Sequence, residues 1–169
     1  MKVNFMHFKV NLMYFTSPTF GRLNLEEVVE QIREYVASVP DAAYKLVIGS
    51  DSHTTEGETL LVSAIVIHRV SKGARFFFRR TRLRPISDLR QRIYVETAES
   101  LALAEKLGNV GLFDLLEEKD VEIHVDIGNT GQTRTMIQEI VGWVRSVGYT
   151  VKIKPEAFGA SAVADRYTK

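Results

Sequence analysis

The 169-residue chain contains no cysteine, so disulfide bridges and thiolate metal sites are excluded. Any metal ion must therefore be bound by oxygen or imidazole ligands. The sequence also lacks an apolar stretch approaching the ~20 residues that a membrane-spanning helix needs. Its first fifteen residues mix polar and charged side chains into the apolar ones, which argues against a signal peptide. We expect a globular, cytoplasmic protein, and 45% hydrophobic and 25% charged residues are typical of that class.

Charge is segregated along the chain. The net charge is +1, yet residues 69–92 carry nine basic side chains and a single acidic one, Asp88. This segment therefore has a charge of +8, and the rest of the chain −7. Such asymmetry favours a polyanionic partner, which we expect to be nucleic acid. The expected binding residues are Arg79, Arg80, Arg82 and Arg84. The alternative is that the phenylalanines at 76–78 fill the core while the arginines keep an edge strand soluble.

Hydrophobic periodicity predicts a mixed α/β fold. Helices are predicted at 25–39, 88–107, 133–147 and 161–168, with a shorter piece at 112–119. Strands are predicted at 45–50, 59–70, 74–83, 121–127 and 150–154. The first three strands are joined by hairpins and the later ones alternate with helices, which favours a five-stranded mixed sheet with helices on both faces. We expect a single domain over 1–169, with an extension at 1–20, a leading helix at 24–39 and a core at 44–169.

Acidic residues fall at positions where ligands gather in such folds. Asp51 and Asp126 come at the ends of two predicted strands, and open α/β sheets bind ligands outside the carboxyl ends of their strands. Glu96 lies within an apolar stripe of the 88–107 helix, where a buried carboxylate requires a cation or a donor as partner. The alternatives are that Asp51 only forms a turn and that Glu96 pairs with Arg92, one helical turn earlier.

Six motifs resemble one known family. They are FTSPTFG, IGSDSH, ETAES, HVDIGNTGQT, GWVRSVGY and IKPEAFGASAVADRYTK. Together, over residues 15–169, they resemble the bacterial YkuK-like family of the ribonuclease H-like superfamily. The resemblance implies a ribonuclease H-like fold, with metal-binding and catalytic acids at Asp51, Glu96, Asp126 and Asp165. Mg²⁺ or Mn²⁺ suits such a carboxylate cluster, and two such ions support phosphodiester hydrolysis. We therefore expect a metal-dependent nuclease that acts on RNA or DNA.

Two features depart from the superfamily's patterns. Asp51 is followed by Ser52 and His53, whereas proofreading exonucleases carry Asp-x-Glu at this point. No histidine lies near Asp165, where ribonuclease H has a mobile one. His53 and Lys154 are the candidates for an auxiliary role.

These departures keep two other hypotheses open. The first is a catalytically inactive ribonuclease H-like module that binds nucleic acid. The second is a nucleotide phosphohydrolase of the actin-like type, which shares the sheet topology but is usually much longer.

Overall fold

The computed structural model describes residues 13–157 and 159–168, and within the last helix the side chains of residues 159, 161 and 165 lie outside that description. The strands are β1 (Tyr14–Ser17), β2 (Gly21–Asn24), β3 (Tyr44–Thr54), β4 (Thr59–Arg69), β5 (Gly73–Leu83), β6 (Val121–His124) and β7 (Thr150–Lys152). The α-helices are α1 (Leu25–Ser38), α2 (Leu89–Asn109), α3 (Ile137–Val147) and α4 (Gly159–Thr168). Within these described residues, no helix is both long and apolar enough to cross a membrane.

The strands form one mixed sheet in the order β2-β1-β5-β4-β3-β6-β7. The α/β class is as predicted, but the prediction of five strands is wrong because the described residues form a sheet of seven strands. The two additional strands, β1 and β2, form a hairpin that buries Phe15 and Leu23. Each has only four residues, which is too short for a clear alternation. Part of the segment predicted as an extension therefore belongs to the sheet, while residues 1–12 lie outside the described part.

The hairpin also changes the environment of β5. Thr16 of β1 pairs with Phe78, so β5 lies inside the sheet, and the interpretation of β5 as an edge strand is wrong. Phe77 is buried in the larger of two apolar cores and Phe78 in the smaller. The phenylalanines therefore do supply core packing.

Local hydrogen bonds set where the helices begin. Asn24 accepts from the Glu27 amide at 2.8 Å and caps α1. The cap of α2 is Asp88, which accepts from the Gln91 amide at 3.1 Å. The helical piece predicted at 112–119 is instead two 3₁₀ turns, at Leu112–Asp114 and Glu118–Asp120.

Side-chain alternation along β3 divides its residues between the two faces of the sheet. Leu46 and Ile48 enter the larger core, on the face covered by α1, α2 and α3, while Val47 enters the smaller core under α4. Gly49 also faces α4, and a Cβ at this position would lie 2.9 Å from the Cβ of Ala160. β6 runs parallel to β3 and pairs with it only as far as Gly49, whereas β3 continues to Thr54. This shortfall of β6 exposes one edge of β3 at the end of the sheet.

Candidate active site

Asp51 lies within β3, opposite Val62 of β4. The prediction that it follows the strand is wrong, because pairing with β4 extends β3 to Thr54. Asp51 is nevertheless beyond Gly49, the last residue that pairs with β6. Alternation points its side chain to the face of α4, where Thr168 Oγ1 donates a long 3.4 Å hydrogen bond to Asp51 Oδ2.

Glu96 approaches from the opposite face of the sheet. It lies on α2 and is only 5% exposed. Ser52 follows Asp51 and therefore points to this face, where its Oγ donates a 2.6 Å hydrogen bond to Glu96 Oε1. The pKa of Glu96 is raised from 4.5 to about 8, mainly by burial and also by the nearby charges of Asp51 and Asp126. The Ser52 hydrogen bond and the positive charge of Arg92 oppose that rise in pKa.

Asp126 lies just after the end of β6. Its Oδ1 is 2.7 Å from Lys154 Nζ, and the two side chains are 36% and 57% exposed. The neighbouring main chain is held by two hydrogen bonds, from Val125 N to Lys152 O at 3.0 Å and from Lys154 N to Ile127 O at 2.9 Å. The segment after β6 therefore continues beside the segment after β7 and positions Asp126 at the end of the sheet.

Three of the four predicted acids line a single pocket of about 240 Å³. Asp51 and Glu96 start from opposite faces, and they meet here because β6 stops short and leaves the edge of β3 open. The charged and hydrogen-bonding residues that line the pocket include Asp51, Ser52, Arg92, Glu96, Asp126 and Lys154. Asp165 belongs to α4, and its side chain lies outside the described part of the structure.

The donor chemistry of this pocket fits a hard divalent cation. Its acidic groups are carboxylates, the ligand type that Mg²⁺ and Mn²⁺ prefer. Burial is the largest cause of the raised pKa of Glu96, and a bound cation would favour the charged form of its carboxyl group. As they stand, no three His, Cys, Asp or Glu side chains among those described form a group that could hold a metal ion. Asp126 is engaged by Lys154, and the side chain of Asp165 is not described.

Ser52 and Arg92 line the pocket, although the sequence predicts neither as a site residue. Sequence alternation does place Ser52 on the face opposite Asp51, but its role depends on Glu96 packing there. Arg92 was considered only as an ion-pair partner of Glu96, whereas the hydrogen bond to Glu96 comes from Ser52. Arg92 Nε is buried and has no hydrogen-bond partner among the described residues. The spacing of four residues between Arg92 and Glu96 was the available signal.

The four predicted nucleic-acid-binding arginines do not share one face. Arg79 points to the face of α2, where its Nη1 is 4.0 Å from Glu99 Oε1. Arg80 points to the face of α4 and donates a 3.0 Å hydrogen bond to the carbonyl of Tyr167. Of the other two predicted arginines, Arg82 forms an ion pair with Glu58, and Arg84 is exposed just beyond β5.

The histidines of β3 and β6 lie apart from this pocket. His53 is exposed and is not among the residues that line it. His124 is buried, and its Nε2 is 2.9 Å from Glu122 Oε2. Burial lowers the pKa of His124, against the opposing effect of Glu122. Of the two predicted auxiliary residues, only Lys154 therefore contacts one of the predicted acids among the described side chains.

Comparison with known proteins assigns the fold to a family. The family described as Ribonuclease H-like matches residues 27–169. The chain is also 33% identical over 160 residues to the uncharacterized protein YkuK of Bacillus subtilis (strain 168), and the match covers 88% of this chain and 93% of that protein. The seven-stranded mixed sheet, with α4 on one face and the other helices opposite, agrees with this match. The chain belongs to the Ribonuclease H-like family.

Proposed function

We propose that this protein is a divalent-metal-dependent nuclease that hydrolyses phosphodiester bonds in RNA or DNA. The observation that carries the proposal is that acids from β3, α2 and the segment after β6 line one pocket. Mg²⁺ or Mn²⁺ would be held there by Asp51, Glu96, Asp126 and Asp165. Two bound ions of this kind supply an activated water molecule and stabilise the leaving oxygen of a phosphodiester.

The chain's own groups prepare this pocket for a phosphate. Ser52 holds Oε1 of Glu96 at 2.6 Å, which fixes the carboxyl group at the pocket wall. Arg92 lines the same pocket, so its guanidinium places positive charge where a phosphate oxygen would bind. The family membership of the chain supports the same assignment.

β5 supplies positive charge two strands away from Asp51. Asp51 pairs with Val62, and Val62 pairs with Arg80, so these three residues form one row across the sheet. Strands in a sheet lie about 4.8 Å apart, which puts Arg80 roughly 10 Å from Asp51. Arg82 and Arg84 continue the positive charge beyond Arg80.

A cleavage assay tests the proposal. Labelled single-stranded RNA, single-stranded DNA, their duplexes and an RNA–DNA hybrid are incubated with protein and Mg²⁺ or Mn²⁺. Wild type should cleave at least one substrate, and Asp51→Asn and Asp126→Asn should abolish cleavage. Asp41→Asn is the matched control, because Asp41 is an exposed acid away from the pocket. Cleavage that survives both pocket substitutions would rule the proposal out.

The concentration of arginine on β5 supports a second candidate function, a nucleic-acid-binding module without catalysis. In that case binding persists in a chelator and weakens steeply with salt. Filter binding of a labelled oligonucleotide in EDTA, at increasing salt, measures both properties. Neutralising Arg79, Arg80 and Arg82 together should reduce the affinity and the salt slope. If the wild-type protein does not bind the oligonucleotide at low salt, this candidate function is excluded.

A further inference from the structure

Lys154 is fixed beside Asp126 by its main chain. The amide of Lys154 donates to Ile127 O at 2.9 Å, and the amide of Ala157 donates to Ile153 O at 2.9 Å. These bonds hold the segment between β7 and α4 without using the lysine side chain. The ammonium group is therefore not required to keep this segment in place.

The base of the lysine stem packs against Gly128. A Cβ on Gly128 would lie 3.1 Å from Lys154 Cβ, so the main chain at 128 lies directly against the base of the lysine. The stem is thereby directed along the pocket wall, where Nζ reaches Asp126 Oδ1 at 2.7 Å. Packing therefore holds the base of the side chain, whereas its 57% exposed end can change partner.

The ion pair lies where a metal ligand is proposed. Both side chains line the acidic pocket, and both are partly exposed. An exposed ion pair of this kind contributes little net stability, because water solvates both charges well. A divalent ion near Asp51, Glu96 and Asp126 is attracted more strongly to the Asp126 carboxylate than the lysine ammonium is. Replacement of the ammonium by the metal ion is therefore favourable.

We propose that Lys154 neutralises Asp126 until a divalent ion enters, and that its ammonium then turns to the phosphate of the bound nucleic acid. This inference rests on the proposed metal-dependent function. It assigns Lys154 two successive partners, first a carboxylate and then a phosphate. It also provides a cation in a chain that has no histidine near Asp165.

Isothermal titration of Mn²⁺ into the metal-free protein, without nucleic acid, tests the first partner. Lys154→Met should bind Mn²⁺ about two- to fivefold more tightly than wild type, which is the equilibrium equivalent of an exposed ion pair. Lys154→Arg keeps the charge and should stay close to wild type. Lys152→Met is the matched control, because Lys152 lies two residues earlier and does not line the pocket. Unchanged or weaker Mn²⁺ binding by Lys154→Met would overturn the inference.

Oligonucleotide binding in Ca²⁺ tests the second partner. Lys154→Met should bind a short oligonucleotide less tightly than wild type, whereas Lys152→Met should not differ from it. This loss of oligonucleotide affinity should be absent in EDTA, because without a metal ion Lys154 stays paired with Asp126. Equal losses in Ca²⁺ and EDTA would contradict the transfer of the ammonium.

The two proposals fail in different ways. If wild type binds Mn²⁺ and Asp51→Asn does not, while Lys154→Met equals wild type, only the role of Lys154 is wrong. If wild type, Asp51→Asn and Lys154→Met all fail to bind Mn²⁺, the metal-dependent function itself is wrong, and the role of Lys154 with it.

Discussion

Ser52 Oγ donates a 2.6 Å hydrogen bond to Glu96 Oε1, and so joins β3 to α2 at the wall of the acidic pocket. The adjacent residue in the chain, Asp51, points to the other face of the sheet. Two consecutive residues of β3 therefore line the same pocket, although their side chains point to opposite faces of the sheet. Asp51 supplies a carboxylate, and Ser52 orients one that comes from a helix.

Ser52→Ala should destabilise the protein in a pH-dependent way. The lost hydrogen bond is worth about 1 kcal/mol to a neutral carboxyl group and about 1.5–3 kcal/mol to a charged one. Because Glu96 has a pKa of about 8, the loss should be larger at pH 9 than at pH 6. Urea unfolding at both pH values, in EDTA, measures it. Ser87→Ala, at an exposed serine, is the control, and an equal loss at both pH values would contradict the prediction.

Glu96→Gln should remove a pH dependence of stability. The folded protein raises the pKa of Glu96 from 4.5 to about 8, so between these values the folded state binds a proton that the unfolded state has lost. The metal-free wild type should therefore lose stability as the pH rises from about 5 to about 8, by an amount on the order of a few kcal/mol. Above about pH 8 this loss of stability is complete, and below pH 4.5 Glu96 causes no loss of stability.

The measurement is urea unfolding in EDTA across this pH range. Glu96→Gln keeps the shape of the side chain without an ionisable group, so its curve should be flatter than that of wild type. Glu105→Gln, at an exposed position of the same helix, should retain the wild-type slope. Parallel curves for wild type and Glu96→Gln would show that Glu96 is not the group responsible.

The sequence could predict the acids but not the geometry that joins them. Asp51, Glu96 and Asp126 stand out because strand ends and an interrupted apolar stripe are local patterns. Their meeting depends on β6 ending at His124 while β3 continues to Thr54, which is a relation between strands far apart in the chain. The hairpin of β1 and β2 is not predictable for a related reason, since β1 joins the sheet by pairing with β5, a strand far away in the chain. Ser52 can donate its hydrogen bond to Glu96 only because α2 packs on the face of the sheet to which Ser52 points.

Gly49→Ala and Gly142→Ala should change stability in opposite directions, although the chemical change is the same. A Cβ on Gly49 would lie 2.9 Å from Ala160 Cβ and 3.3 Å from His124 O, so α4 must shift at a cost of about 1–3 kcal/mol. Gly142 lies in α3 with nothing within 4 Å of an added Cβ, and alanine there should stabilise the helix by about 1 kcal/mol. Thermal or urea unfolding distinguishes the two. A Gly49→Ala variant as stable as wild type would show that α4 is not held closely on β3.

Tyr167→Ala should loosen α4 without unfolding the sheet. The Tyr167 ring stacks on Phe78 with centroids 3.7 Å apart and planes 9° apart, and it anchors the end of the helix on β5. An aromatic pair contributes about 0.5–1.5 kcal/mol beyond its buried area. The hydrogen bond from Arg80 is made to the carbonyl of Tyr167, so it can survive the substitution.

Hydrogen exchange read by mass spectrometry can separate this local effect from global unfolding. Exchange in residues 159–168 should accelerate in Tyr167→Ala, while exchange in β3 and β4 should stay close to wild type. Phe20→Ala is the control, because Phe20 is 37% exposed, lies under Arg75 at the turn between β1 and β2, and is not among the residues that line the pocket beside Phe78. Since Asp165 belongs to α4, the proposed metal site predicts weaker Mn²⁺ binding in Tyr167→Ala and unchanged binding in Phe20→Ala. Unchanged exchange in α4 would show that the stacked pair does not anchor the helix, and faster exchange with unchanged Mn²⁺ binding would separate α4 from the metal site.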